Sequence, residues 1–262
     1  MKRVIAVLLA LAAVYGAAAG NLFAEEAKVT GSASMGIFNR YVFRGYEFSS
    51  DSIVIQPAIN LSYQGFGVGF WANIDTDEHT TQSFLGSGRL GHKSFNETDF
   101  TLSYTYALGK LSLTGGYVYY ALKYAAETEE VFLIASYDII AKPTLSIYRD
   151  ITSYPGTYIS LALSHSVPLY KTVTLDLGAS AGYFVGDDKI FRTVDGSGKR
   201  YRAFHDGLLK AGLTIPVVKN TVLQPVVSYS FPISDRARRH SYNPNGHIDD
   251  TITTGISVVF TF

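Results

Sequence analysis

Apolar and polar residues alternate along most of this chain, and the alternation is clear at its C-terminal end, TITTGISVVFTF. Every second residue there belongs to one face, which is apolar apart from one threonine: Ile252, Thr254, Ile256, Val258, Phe260 and Phe262. The other face carries Thr, Gly and Ser, interrupted only by Val259. A period of two residues predicts a β-strand with one face in an apolar medium, which is either a protein core or a lipid bilayer.

Twelve segments with this alternation can be found, and the stretch from Asp99 to Leu108 shows it most cleanly. Alternating segments of about ten residues are the signature of strands in transmembrane β-barrels. The twelve predicted strands cover about 29–43, 53–61, 68–74, 99–108, 111–119, 131–139, 145–149, 159–167, 173–185, 209–215, 223–231 and 251–262.

The connections between these strands alternate between short and long without exception. The short ones are 64–67, 108–110, 141–143, 167–172 and 216–221, and the long ones include 75–96, 186–202 and 232–249. An up-and-down barrel in an outer membrane has short turns at its periplasmic end and longer loops outside, with an even number of strands. The pattern therefore predicts an all-β protein, a 12-stranded antiparallel up-and-down transmembrane β-barrel.

A soluble secreted β-sandwich is the alternative, because sandwich strands also alternate. Short and long loops are not expected to alternate in such a domain. The chain also has 19 Tyr and 16 Phe residues, which cluster at the predicted strand ends as in the aromatic girdles of membrane barrels. The absence of cysteine excludes disulfides, a lipid-anchored cysteine and a thiolate metal site. With 22 basic and 22 acidic residues, no electrostatic attraction to nucleic acid is expected.

The N-terminus has the pattern of a secretory signal peptide. Lys2 and Arg3 precede an apolar run from Val4 to Ala19, followed by small residues up to Ala24. A membrane-spanning helix is the alternative, but the run is shorter than the ~20 residues that a span requires. We expect residues 1–24 to be a signal peptide and 25–262 to form the barrel, located in the bacterial outer membrane of a Gram-negative cell.

The inward parity of the predicted strands is polar, which predicts a water-filled lumen. Charge selectivity would follow if basic and acidic groups faced one another across a constriction. The alternative is that these groups pair with neighbours and only solvate the interior. Several apolar residues share the inward parity, so the lumen could also be narrow or closed. The predicted pore-lining residues are Arg40, Arg44, Gln56, Asn60, Asp99, Asp176, Asp206 and Lys210.

Two other kinds of activity can be weighed from the residues. A lipid-modifying enzyme of the phospholipase or lipid A deacylase type would need a histidine beside a nucleophile, but His165 is separated by parity from its adjacent serines, so no catalytic residue is assigned. Arginine suits phosphate oxygens, so basic loop residues are candidates for binding lipopolysaccharide, or form a solvated basic rim. These candidates are Arg200, Arg202, Arg236, Arg238 and Arg239. No cofactor or metal motif is present, and none is expected.

The last strand resembles the C-terminal strand of bacterial outer-membrane proteins generally, in which a terminal Phe follows apolar residues at alternate positions. That resemblance implies that Phe260 and Phe262 form a signal for the barrel-assembly machinery. The words YVFRG, at 41–45, and GFWAN, at 69–73, resemble the start of an uncharacterised family of bacterial outer-membrane proteins of the Gcw_chp type. This resemblance implies the fold and the location but supplies no site.

The sequence thus predicts an outer-membrane barrel whose main activity is porin-like, passive passage of small polar solutes. Its expected partners are the lipid bilayer, lipopolysaccharide, the assembly machinery and the solutes themselves. A lipid-modifying enzyme and a non-conducting binding or structural barrel remain as alternatives.

Overall fold

A computed structural model describes residues 28–78, 94–187, 190–195, 197–239, 241 and 248–262. The predicted signal peptide, residues 1–24, lies outside these residues. No helix in the described part of the chain is long and apolar enough to cross a membrane.

Twelve strands form a closed antiparallel barrel, which confirms the predicted fold class. Consecutive barrel strands are hydrogen-bonded neighbours all the way around the ring. Numbered in chain order, with β2 and β3 outside the ring and described below, they are β1 (Thr30–Phe38), β4 (Val54–Tyr63), β5 (Phe66–Asp75), β6 (Ser94–Leu108), β7 (Leu111–Leu122), β8 (Thr128–Tyr137), β9 (Thr144–Asp150), β10 (Gly156–Tyr170), β11 (Val173–Gly186), β12 (Arg202–Val218), β13 (Thr221–Pro232) and β14 (Thr251–Thr261).

The last strand closes the ring against the first. β14 pairs with β1 from Ser32↔Thr261 to Phe38↔Gly255, and the other edge of β1 pairs with β4. Closure leaves none of the twelve ring strands with an unpaired edge, so the backbone polar groups of the wall are satisfied within the sheet.

The two faces of the wall have opposite chemistry. On β14 the outward side chains, among them Ile252, Ile256 and Phe260, are between 43% and 57% exposed although they are apolar. The same outward apolar series continues on the other strands, for example at Leu133, Leu161 and Leu209. A continuous exposed apolar belt is unfavourable in water and favourable against acyl chains, so the outer face is the lipid-facing surface.

The connections lie at two ends of the barrel. We call the end with short connections only the turn end, and the end that carries the long connections the loop end. At the turn end, Gln64 and Gly65 join β4 to β5 with φ of 49° and 86°, as in a type I′ hairpin turn. Two loop-end connections, 123–127 and 151–155, are however as short as the connection 138–143 at the turn end. The prediction that lengths alternate without exception is therefore wrong in detail.

The first predicted strand, 29–43, is too long. β1 ends at Phe38, and residues 41–49 form a separate two-stranded hairpin made of β2 (Tyr41–Phe43) and β3 (Tyr46–Ser49). The side chain of Asn39 exchanges hydrogen bonds with the backbone of Ile252 and Thr254 on β14. This capping contact ends the wall strand and lets the chain leave the ring.

Candidate functional site

The hairpin of residues 41–49, which we call the lumenal hairpin, has a two-residue turn at Arg44 and Gly45. Phe43 and Tyr46 pair directly across it, and the turn residues have φ of 48° and 83°. Positive φ at both central positions defines a type I′ turn, which suits the twist of a tight hairpin. Glycine adopts this conformation freely, whereas Arg44 needs compensating contacts to hold it.

The base of the hairpin is fixed near the junction of β1, β4 and β14. Arg40 forms an ion pair with Glu47 at 2.7 Å, and Thr251 of β14 donates a hydrogen bond to the same carboxylate at 2.8 Å. Tyr41 packs against Trp71 of β5 with ring centroids 5.2 Å apart. The hairpin therefore starts from a defined position on one side of the wall.

Buried polar side chains hold the second arm. The amide nitrogen of Asn73 donates to Asn96 at 2.7 Å and to Ser49 at 3.2 Å, while its oxygen accepts from Gln56 at 2.9 Å. Asn96 also donates to Ser49 at 3.1 Å. Such a network is stable because each buried polar group finds a partner.

The tip of the hairpin reaches the opposite wall. Arg44 donates two hydrogen bonds to Glu130 of β8, at 2.7 and 2.8 Å, and Tyr120 of β7 donates to the same carboxylate at 2.8 Å. The guanidinium carbon lies 4.5 Å from the ring centroid of Tyr158 and 5.1 Å from that of Tyr148. In the ring order, β8 to β10 lie across from β1 and β4, so the hairpin spans the lumen.

The remaining tip contacts involve β12 and the segment before β14. Tyr158 donates to Asp206 at 2.9 Å, and a Cβ on Gly45 would lie only 3.0 Å from Asp206 and from Ile248. Tyr46 is 1% exposed and packs on His205, with ring centroids 5.5 Å apart. The tip is thus enclosed by the wall and by loop residues.

The hairpin separates two cavities. The loop-end cavity, about 130 Å³, has mainly aromatic walls, and the turn-end cavity, about 410 Å³, is lined by more polar groups such as Gln56, Ser180 and Lys210. Arg44 belongs to the lining of both. At the opening of the turn end, a further space of about 500 Å³ is bordered by Asn60 and Phe262.

The eight predicted pore-lining residues all lie within or at the edge of the lumen, but they do not form one ring. Arg40, Arg44, Gln56, Asp206 and Lys210 line the turn-end cavity, with the two arginines on the hairpin and its base. Their role in conduction stays a prediction.

The other three predicted pore-lining residues lie at different depths. Asn60 is at the turn end, and Asp176 accepts hydrogen bonds from Ser166 at 2.5 Å and Thr214 at 2.7 Å. Asp99 lies on the inward parity, since its neighbour Phe100 is on the exposed outer face, and one of its carboxylate oxygens is buried without a hydrogen-bond partner among the described residues.

Sequence reasoning missed the groups that receive the hairpin: Glu97, Tyr120, Glu130, Tyr148 and Tyr158. Glu130 is 86 residues from Arg44, and strand periodicity cannot pair such distant groups. The local sequence feature that indicates the hairpin is the segment YVFRGYEF, in which an Arg-Gly pair lies between aromatic residues, as in a tight turn.

The candidate lipopolysaccharide-binding arginines lie at the loop end. A short helix, Asp235–Arg239, carries Arg236, Arg238 and Arg239, and Arg236 donates to the backbone oxygen of Arg202 at 3.1 Å. Arg200 instead donates to the backbone of Gly186. Arg238 donates to both oxygens of Asp250, at 2.8 and 3.3 Å, and this holds the pKa of the Asp250 carboxyl below its usual value. Lipopolysaccharide binding stays a prediction.

The histidine considered for catalysis, His165, is exposed on the outward face of β10. Ser164 and Ser166 have the opposite parity, as the sequence predicts, and Ser166 donates to lumenal Asp176. Within the described residues, no group of three or more His, Asp or Glu side chains is arranged to hold a metal ion.

Comparison with known proteins gives structural matches only. No protein-family profile and no curated protein matches the chain. An outer membrane channel from Pseudomonas putida F1 is similar at a TM-score of 0.48 and 11% identity, covering 94% of this chain and 98% of the channel. The anion-selective porin from Comamonas acidovorans scores 0.35 at 11% identity, covering 90% and 99%. OmpT of Vibrio cholerae, in its outer-membrane expressed form, scores 0.40 at 8% identity, covering 93% and 100%.

The class of the molecule follows from its own closed topology, its apolar outer face and its polar interior. The chain is a twelve-stranded transmembrane β-barrel with a hairpin across its lumen.

Proposed function

We propose that the protein is an outer-membrane channel for small polar solutes, in which the lumenal hairpin forms the constriction. The observation that carries this proposal is that the two cavities of the lumen are separated at Arg44, which lines both. A path along the axis is therefore interrupted at the hairpin, while the wall on the turn-end side is polar.

The charges of the turn-end cavity favour small anions. Arg40 and Arg44 are each bound to a carboxylate, Glu47 and Glu130 respectively. Lys210 forms no ion pair with any described residue; it interacts with Asp176 at longer range, and Asp206 of the same lining accepts a hydrogen bond from Tyr158. Lys210 is therefore the cation of this lining that is not bound to a carboxylate. A fixed cation on a pore wall raises the local concentration of anions.

Planar-bilayer recording of the refolded protein tests this proposal. We expect small discrete current steps, larger steps when residues 41–49 are replaced by a short Gly-Ser connection, and a reversal potential shifted toward cations in Lys210→Glu. Asp235→Lys, a charge change in the exposed helix at the loop end, is the control and should leave the reversal potential near the wild-type value.

A non-conducting binding barrel is the second candidate, because the hairpin crosses the whole lumen and is fixed at both ends. This candidate would be favoured if the intact protein gave no current while the variant without the hairpin conducted. If neither protein conducted, the channel proposal would be wrong.

A further inference from the structure

We propose that the loop-end cavity is a binding site for a small organic cation, one aromatic ring bearing an ammonium group. The cavity lies between the hairpin and the loop-end segments of the wall. This proposal is separate from conduction, because it concerns occupancy of a cavity that the hairpin closes off from the turn end.

The size of the cavity sets the size of the ligand. Its volume is about 130 Å³, close to that of an engineered protein cavity of about 150 Å³ that holds one benzene molecule. One ring with a short substituent therefore fills the space, whereas a sugar chain or a lipid acyl chain does not fit.

The walls suit an aromatic or cationic guest. Aromatic side chains line much of the cavity, and six of them are Phe43, Phe48, Tyr120, Tyr154, Phe184 and Phe191. The first two lie 5.4 Å apart between ring centroids and the last two 5.0 Å, so two aromatic pairs border the space. Aromatic rings attract cations over their faces and pack against other rings edge to face.

The polar groups select positive charge. Among the described lining residues the ionisable acids are Glu97, Glu130 and Asp150, against a single cation, Arg44. Glu130 is bound by Arg44 and Tyr120, and Asp150 accepts from Thr128 and from the backbone of Thr152 and Tyr154.

Glu97 differs from these two acids. It is 3% exposed, and its Oε2 atom has no hydrogen-bond partner among the residues that the structure describes. Arg44 forms its ion pair with Glu130 and not with Glu97. A buried carboxylate outside an ion pair is unfavourable, and an ammonium donor supplies both a paired charge and the missing hydrogen bond. Glu97 is therefore the anchor we assign to the cationic end of the ligand, with the ring against the aromatic walls.

Calorimetric titration of the refolded protein with benzylammonium tests the assignment, with benzyl alcohol and phenylacetate as neutral and anionic probes of similar shape. We expect saturable binding of benzylammonium, at least about tenfold tighter than binding of either other probe. The fluorescence of Trp71, the single tryptophan of the chain, gives a second measure of binding, because Trp71 packs on Tyr41 at the base of the hairpin.

Glu97→Gln should weaken benzylammonium binding by about tenfold or more and leave benzyl alcohol binding unchanged. Glu127→Gln, in the exposed loop between β7 and β8 and outside the cavity lining, is the matched control and should bind as the wild type does. If Glu97→Gln does not fold, two other measurements test the proposal. The wild type should still prefer the cationic probe, and Phe191→Ser should bind all three probes more weakly.

Absence of saturable benzylammonium binding, or equal affinity for the three probes, would overturn the inference. So would a folded Glu97→Gln variant that binds benzylammonium as the wild type does. The binding experiments do not measure current. Their results can therefore be interpreted even if the channel proposal fails.

Discussion

At the residue scale, Arg44 makes the contacts that hold the tip of the lumenal hairpin against the opposite wall. It adopts a backbone conformation that arginine rarely holds, with φ of 48°, and its side chain is 13% exposed. The two hydrogen bonds to Glu130 and the rings of Phe43, Tyr148 and Tyr158 compensate both the strain and the desolvation. The contacts of one side chain thus decide where the hairpin tip lies.

Replacing Arg44 by Ala should lower the free energy of unfolding by about 3–5 kcal/mol, because it leaves Glu130 buried without its cation. Arg149→Ala is the control, since its ion pair with Asp187 is more than 40% exposed on both sides and should contribute under about 1 kcal/mol. Urea unfolding in lipid vesicles measures both. Equal losses would contradict the assigned role of Arg44.

Gly45→Ala should disturb the tip for a different reason. Its φ is 83°, and the added Cβ would lie 3.0 Å from atoms of Asp206 and Ile248. Gly109 has φ of 58° and no atom within 4 Å of the position that a Cβ would take, so it carries the backbone cost of about 1 kcal/mol alone. We expect Gly45→Ala to be about 1–3 kcal/mol more destabilising than Gly109→Ala in the same urea assay. A smaller or reversed difference would mean that the tip is loosely packed.

At the scale of the elements, β14 and the hairpin show what sequence can and cannot predict. The strand β14 and its lipid-facing side were predictable, because its alternation gives both. The hairpin was not, since Tyr41 and Phe43 share the parity of Met35 and Ile37 on β1, and the single polar residue between them, Asn39, is too weak a signal to end the predicted strand. Alternation distinguishes two faces but does not say whether a segment belongs to the wall or lies inside it.

The predicted assembly role of Phe262 can be separated from its contribution to stability. Phe262→Ser should reduce the amount of folded protein in the outer membrane of cells several-fold, while refolding of the purified protein in detergent stays near normal. Phe100→Ser is the control, because Phe100 is exposed on the outer face to a similar extent, 42% against 49%, but lies on β6. Heat-dependent electrophoretic mobility measures folding in both settings. If both variants assembled equally, Phe262 would not be a recognition signal.

At the scale of the whole molecule, the barrel separates two media. Its outer face is apolar and exposed, while inward residues such as Gln56, Asn73 and Asp176 form polar networks. This separation was predictable from parity. The location of the cavities was not, because it depends on contacts between residues on opposite walls.

Adjacent residues of β10 provide a test of the two media at one depth. Leu163 lies at the middle of the strand and is 47% exposed on the outer face, so Leu163→Arg should cost about 2–4 kcal/mol in a bilayer. Ser164 faces the lumen, and Ser164→Arg should change stability by less than about 1 kcal/mol. Unfolding in vesicles compares the two. A larger loss for Ser164→Arg would mean that the faces have been exchanged.

The attachment of the hairpin has a consequence for the order in which the protein matures. Glu47 accepts a hydrogen bond from Thr251, and Asn39 bonds to Ile252 and Thr254; these three partners lie on β14, the last barrel strand in chain order. The hairpin precedes that strand by about 200 residues in the chain and acquires these partners only when the two ends of the sheet meet. The hairpin therefore takes its final position only when β14 pairs with β1, so the same event that completes the wall also fixes the hairpin across the lumen.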